Sequence, residues 1–302
     1  MTFTVVVNPT AGRGRAARSL PDLERSLHAR GVDYVVRQTS GPEDVIRYVA
    51  QARDDGADRV AVMGGDGTVH AAVQPLVGSA TALAIIPTGT GDDNARTFGI
   101  PLGDVQAAIQ VALTGQIQDV DLGRVECVEA NEYFLGVLST GFDSLVNERA
   151  NQMRWPTGKA RYIAAILAEL RTFRPVPYRA VLDDREVGGA AMLVAVGNGP
   201  SYGGGMQVCP GAQPYDGLLD VTWLGGVPTR TFLRVFPSVF SGKHVESPYV
   251  STGRARRIVL DAPGQVAYAD GERIGDLPVE IQAVPGALRV VASTAPTSRA
   301  DM

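Results

Sequence analysis

The sequence predicts an α/β protein in two parts: an N-terminal doubly wound parallel α/β domain, followed by a mainly antiparallel β-sandwich domain. Three observations predict it. Strand-like and helix-like segments alternate through the first ~115 residues. From residue 116 onward, short strand-like runs follow one another with little helix between them. Two glycine-rich turns, Gly64-Gly-Asp-Gly-Thr68 and Pro87-Thr-Gly-Thr-Gly91, each end a short apolar run. In a parallel sheet, successive turns of this kind lie at one carboxyl edge, where ligands bind.

Residues 3–7 are a β-branched run ended by Asn8-Pro-Thr-Ala-Gly12. Residues 13–30 carry helical spacing at Ala16, Ala17, Leu20, Leu23 and Leu27 and close on Gly31. Gly12-Arg-Gly-Arg-Ala-Ala17 also fits a loose dinucleotide fingerprint, but its acid, Asp33, precedes the strand at 34–37 instead of closing it. Basic residues at a helix start oppose the dipole, so Arg13 and Arg15 either meet an anion or form a solvated pair. Thr39 ends the second strand on the ligand edge, and Ser40-Gly-Pro-Glu43 reads as a capping box for a helix through Val45, Ile46, Val49 and Ala52. The buried run 60–63 breaks into the first glycine turn, after which Val69, Ala71, Ala72, Val73 and Leu76 suit a helix. Residues 82–86 are the fourth strand, and 105–113 the last helix of this half.

In the second half, strands are predicted at 120–125, 133–138, 178–182, 190–196, 218–224, 257–260, 265–269 and 279–283. Tyr162, Ile163, Ile166, Leu167, Leu170 and Phe173 form one helical stripe. Phe232, Leu233, Phe236, Val239 and Phe240 form another, kinked at Pro237. Both read as packed on the sheet; amphipathicity alone does not separate that from a membrane or acyl-chain role. A strand at 288–291 returns to the first domain, giving domains of 1–118 with 285–302, and 119–284. Residues 295–302 read as a frayed tail.

Of 302 residues, 45% are apolar and 20% charged, which is a globular composition. A net charge of −4 argues against nucleic acid. The cations are almost all arginine, because Lys159 and Lys243 are the only lysines. Cys127 and Cys209 are too few for a disulfide framework, which fits a reducing cytoplasm. No stretch approaches the ~20 apolar residues of a membrane span. A Walker loop is excluded, since Gly158-Lys-Ala and Gly242-Lys-His lack the following Ser or Thr. A protein kinase is excluded by the absence of lysine before 159, and a serine hydrolase by the absence of Gly-x-Ser-x-Gly.

Strand, glycine turn and helix bring backbone N–H groups and a positive helix end to one point. Three glycines in four positions let a ligand approach the backbone. Asp66 inside such an anion site suits a hydroxyl or a phosphate-bound Mg²⁺. Asp270 and Glu272 flank Gly271 at a strand end, so two carboxylates near one site offer a general base. From composition alone, a solvated Asp-Gly hairpin turn is the stronger reading. The Gly/Pro-rich loop ending Gln213-Pro-Tyr-Asp-Gly-Leu-Leu-Asp220 sets Asp216 among backbone carbonyls, as a bare turn or as a metal site.

The two glycine turns, with Asn8-Pro-Thr-Ala-Gly12 upstream, resemble the diacylglycerol-kinase-like lipid kinases, and in particular their soluble bacterial members, over nearly the full chain. The resemblance implies ATP-dependent transfer of the γ-phosphoryl group to a lipid hydroxyl, in a cleft between the two domains. It places ATP at Asn8, Pro9, Thr10, Ala11, Gly12, Thr39, Gly64, Gly65, Asp66, Gly67, Thr68 and Thr90, with Mg²⁺ bridging the phosphates near Asp66. It assigns the base to Glu272, with Asp270 beside it, and marks Asp121 as a secondary carboxylate near the domain junction. A structural Mg²⁺ falls on Asp216, with main-chain oxygens of Gln213 and Leu218. Peripheral membrane association is implied, and a homodimer is allowed. The family continues its second turn Gly-Asn-Asp-Phe-Ala-Arg, whereas this chain reads Gly91-Asp-Asp-Asn-Ala-Arg96. Asp92 therefore adds negative charge near the phosphates, and Asn94 replaces an aromatic. NAD kinase resembles the chain through the Gly-Gly-Asp-Gly-Thr turn but lacks the other two motifs. A silent lipid- or nucleotide-binding regulatory module is the third reading. Diacylglycerol, phosphatidylglycerol, a polyprenol or a sphingoid base would each offer a hydroxyl beside apolar chains.

Overall fold

The computed structural model describes residues 2–142, 144, 146, 149, 153, 155, 164, 165, 168, 169 and 174–293. The predicted helical stripe from Tyr162 to Phe173 and the tail at 295–302 lie outside them. The chain divides into two compact units, Met1–Leu122 with the returning segment from Pro285, and Gly123–Val284.

The first unit alternates β1 (Phe3–Val7), α1 (Ala11–Ala29), β2 (Tyr34–Gln38), α2 (Pro42–Asp54), β3 (Arg59–Gly64), α3 (Asp66–Leu76) and β4 (Ala82–Pro87). The short α4 (Asp93–Thr97) and α5 (Val105–Thr114) follow, and β5 (Gln116–Glu126) leads out. The sheet is parallel, with β2 on β1, β1 on β3 and β3 on β4. Val5–Val7, Val60–Met63 and Ala82–Ile86 are all buried, as the β-branched and apolar runs require of a sheet covered on both faces. Helix α2 packs with α3, and α1 with α5.

Two local expectations are corrected. The capping acid of α2 is Asp44, not Glu43: its Oδ2 accepts from the N–H and the hydroxyl of Ser40, at 2.8 and 2.5 Å. Gly41 is the N-cap and Pro42 opens the helix, which moves the start one residue later than a Ser40 cap implies. Helix α1 starts regular winding only after Gly14, because Gly12, Arg13 and Gly14 are left-handed, with φ of 58°, 60° and 79°.

The second unit contains β6 (Asn131–Phe134), β7 (Val137–Gly141), β8 (Val176–Leu182), β9 (Arg185–Gly197) and β10 (Leu219–Gly225). After α6 (Thr229–Val235) and two 3₁₀ turns, Phe236–Ser241 and Lys243–Glu246, come β11 (Val250–Ala255), β12 (Arg257–Asp261), β13 (Val266–Ala269), β14 (Glu272–Asp276) and β15 (Val279–Ala292). Its pairings are antiparallel, running β14–β13–β7–β9–β8–β12–β15, with β10 also on β9 and β11 on β10. Phe134, Leu138, Tyr178, Val196, Leu219, Ile258 and Ile281 fill the core of this sandwich. The end of β15 crosses into the first unit, where Val290 pairs in parallel with Leu83 of β4.

The predicted strand at 133–138 is two strands, because the amides of Leu135 and Gly136 donate to a carboxylate, Asp270, rather than to a ladder. The predicted strands at 279–283 and 288–291 are one, β15. Strands β11 and β14 were not expected. No helix among the described residues is long and apolar enough to cross a membrane.

Candidate functional site

Register brings the predicted turns of the first unit together. Val7 stands opposite Met63 and Gln38, and Gly64 opposite Pro87. The chain therefore leaves β1, β2, β3 and β4 at one edge, at Asn8, Thr39, Gly65 and Thr88. Backbone bonds fix that edge: Asn8 N–H donates to Met63 O (3.0 Å), Thr88 N–H to Gly64 O (2.9 Å) and Thr39 N–H to Val7 O (2.9 Å). The Asn8 side chain ties the first and third turns, donating from Nδ2 to Thr68 Oγ1 at 3.3 Å, while its Oδ1 accepts from the Thr10 N–H and hydroxyl. Thr39 is buried, and its hydroxyl donates to Val7 O.

The glycines are required by contact. A Cβ on Gly12 would lie 1.8 Å from Thr88 O, and one on Gly64 would strike the Thr68 side chain at 2.3 Å. Gly65 and Gly89 pack face to face: a Cβ on Gly89 would sit 2.7 Å from Gly65 Cα. Three chain segments thus meet backbone to backbone, at the start of α3, whose first turn carries N–H groups without intrahelical acceptors. Thr88 Oγ1 is fully buried there and has no hydrogen-bond partner. Pro9, Ala11 and Gly67 line the same turns half-buried, and Thr90 is exposed on the second. Asp66 occupies the first turn of α3, with Oδ1 accepting from Asn94 N–H at 3.4 Å.

Sequence reasoning missed how the second turn is held. Asp92 is left-handed, with φ of 53°, and its Oδ1 accepts from Gly89 N–H at 2.9 Å, closing the turn on itself. Arg15 donates to Gly89 O at 3.4 Å from the other side. Burial pushes the Asp92 carboxyl up to about 6, against the opposing pull of the Gly89 N–H and Arg15. The departure from the family pattern at 92 was the one signal of this in the sequence.

In the second unit, Asp270 and Gly271 are a two-residue hairpin turn between β13 and β14, with φ of 51° and 89° and Ala269 opposite Glu272. The two carboxylates have different surroundings. Asp270 is buried and accepts backbone N–H bonds from Leu135 (3.0 Å), Gly136 (2.9 Å) and Val137 (3.3 Å). Glu272 is exposed on the rim of the hairpin. Asp270 thus anchors the turn, while Glu272 is the acid presented by it. Asp121 is likewise occupied, with Oδ1 accepting from Gly286 N–H at 2.8 Å.

The loop at 213–220 answers Asp216 with a protein cation. Arg254 pairs with both Asp216 and Asp220, Leu218 N–H donates to Asp216 Oδ1 at 3.0 Å, and Gln213 O accepts from Tyr215 N–H. A Mg²⁺ there has to displace the guanidinium. Among the described residues, no group of three His, Cys, Asp or Glu side chains is placed to hold a metal.

The second unit also contains a pocket, a cavity of about 60 Å³, that no single motif announced. Phe142, Leu193, Met206, Leu224, Phe232 and Phe236 line it, with His244 among them. His244 Nε2 faces the Val208 carbonyl at 3.1 Å and so donates, and burial lowers the ring's pKa, which keeps it neutral. The walls are thus largely apolar and carry no charged side chain.

The diacylglycerol kinase catalytic domain family matches residues 2–125, and the YegS C-terminal NAD kinase beta sandwich-like domain family matches residues 136–292. A protein named diacylglycerol kinase from Mycobacterium tuberculosis (strain ATCC 25618 / H37Rv) is 45% identical over 290 residues, covering 95% of this chain and 94% of that one. A protein named probable lipid kinase YegS-like from Citrobacter koseri is 30% identical over 296 residues, covering 95% and 96%. A solved structure of a diacylglycerol kinase from Bacillus anthracis str. Sterne shares the fold, with a TM-score of 0.74 at 23% identity over 97% of both chains.

Proposed function

The chain belongs to the family of the diacylglycerol kinase catalytic domain and its lipid-kinase relatives, and from that premise we propose an ATP-dependent lipid kinase that phosphorylates a hydroxyl of diacylglycerol or a closely related lipid. The observation that carries the reading is the edge where Gly12, Gly64 and Gly89 leave no room for a Cβ and bring three turns together at the start of α3. Such an edge gathers backbone N–H groups and a helix start at one point, the arrangement that receives phosphate oxygens. The buried Thr88 hydroxyl supports a polar ligand at the same edge.

On this reading Asn8, Thr10 and Gly12 hold one side of the nucleotide, and Gly64 to Thr68 hold its phosphates, with Thr39 and Thr90 at the margins. Asp66 is one carboxylate rather than a cage, and would hold a phosphate-bound Mg²⁺ at this turn. That ion supplies charge neutralisation for the transferred phosphoryl group. Asp270 holds the hairpin, and Glu272 takes the proton of the lipid hydroxyl as it attacks. Catalysis is then mainly positioning and electrostatics.

Replacement of Glu272 by Gln tests the mechanism. Nucleotide and lipid binding survive, while phosphoryl transfer falls by ~10²–10⁴, the usual contribution of a general base. Full turnover in Glu272→Gln removes the residue from the reaction. The second metal belongs to the same reading: Mg²⁺ on Asp216 with the carbonyls of Gln213 and Leu218 raises the melting temperature over that in chelator, and Asp216→Ala abolishes the rise. An equal response to Mg²⁺ in parent and mutant leaves Arg254 as the cation of that loop.

A further inference from the structure

We infer that the segment made by α6 and the 3₁₀ turns is the face with which the protein docks on an anionic lipid bilayer. Residues 229–246 carry Arg230, Arg234 and Lys243 against one acid, Glu246, in a chain whose net charge is −4. The segment has two faces. Its inner face, Phe232, Val235, Phe236 and Val239, lines the apolar pocket. Its outer face exposes two large apolar side chains, Leu233 at 46% and Phe240 at 52%, beside exposed Arg230, Arg234 and Lys243.

A row of rings joins the two faces. Phe142 meets Phe232 at 5.0 Å, Phe232 stacks on Phe236 at 5.5 Å, and Phe236 meets Phe240 at 6.2 Å. The row starts in the buried wall and ends at the exposed ring. Apolar side chains ringed by arginine and lysine are the composition of an element lying in the headgroup region. There the rings and Leu enter the acyl boundary and the cations meet phosphates. Each cation near an anionic surface adds attraction that an uncharged bilayer does not supply. Continuity with the pocket identifies the use: a lipid lifted from the bilayer moves along apolar surface into the cavity. That last step rests on the lipid-kinase reading; the docking face does not.

The test uses the full chain and vesicles, either of phosphatidylcholine alone or of phosphatidylcholine with phosphatidylglycerol, in sedimentation at ~0.1 M salt. The parent binds the phosphatidylglycerol vesicles more tightly, and added salt weakens that binding. Arg230→Gln and Arg234→Gln each weaken it about fivefold, and Leu233→Ser with Phe240→Ser weakens it on both vesicle types. Because these side chains are exposed, the melting temperature stays near that of the parent. Phosphorylation of a short-chain diacylglycerol in solution keeps its rate in the variants, whereas phosphorylation of vesicle-held lipid falls in step with binding. Vesicle binding unchanged by all four substitutions overturns the proposal. So does equal binding to both vesicle types, or loss of the solution rate together with binding. If the protein phosphorylates no lipid, the sedimentation arm still decides the docking face, so failure of the kinase reading is separately visible.

Discussion

Asp92 is a buried carboxyl that burial pushes up to about 6. Its folded pKa lies above the ordinary carboxylate value, so the protonated form is the one the fold favours. The stabilisation is complete below the unfolded pKa near 4 and is lost as pH rises through about 6. Asp92→Asn keeps an oxygen for the Gly89 N–H and tolerates the left-handed backbone. Its melting temperature is therefore above that of the parent at pH 7.5, and the gap closes as pH falls through 6. A constant gap across that window contradicts the assignment. Asp270 accepts three backbone N–H groups, from Leu135, Gly136 and Val137. Asp270→Ala leaves those donors unmet and costs about 2–3 kcal/mol in denaturant unfolding. A loss below ~0.5 kcal/mol, the range of ordinary surface substitutions, contradicts the anchoring role.

Among the elements, the glycine turns decide most. Gly65 has only 3.2 Å between its virtual Cβ and Gly89 Cα. Gly65→Val drives the first turn from the second and places methyl groups where phosphate is to lie. ATP binding is lost, while the circular dichroism spectrum keeps its native form. Unchanged ATP affinity in the folded mutant removes this turn from the site. These turns were legible in the sequence because a strand, a glycine cluster and a helix each leave a local pattern. Their mutual packing was not legible, since Gly12 on Thr88 and Arg15 on Gly89 join segments more than seventy residues apart. The break between β6 and β7 was hidden for the same reason: the carboxylate that takes the two amides lies over 130 residues later. Strand β11 escaped because Val250-Ser-Thr-Gly-Arg-Ala255 has neither alternation nor a bulky run.

At the scale of the whole molecule, the change from alternating strands and helices to successive strands marked where one architecture gives way to the other. The return of the chain was legible as a strand at 288–291, but not its continuity with the strand at 279–283 through Pro285 and Gly286. The apolar pocket could not be read beforehand, because its walls come from the residues after β7, from β9, β10, β11 and α6, and from the turns around them. Nucleotide binding is assigned to residues of the first unit, and acceptor and base to residues of the second. The direct measurement is incubation of the full chain with γ-labelled ATP, Mg²⁺ and a panel of diacylglycerol, phosphatidylglycerol, polyprenol and sphingoid base, with the products identified by mass spectrometry. Label is expected on the hydroxyl of diacylglycerol or a close relative, and ~10²–10⁴-fold more slowly with Glu272→Gln at the same protein concentration. ATP bound at the glycine turns with no label in any lipid contradicts it and identifies a nucleotide-binding module instead.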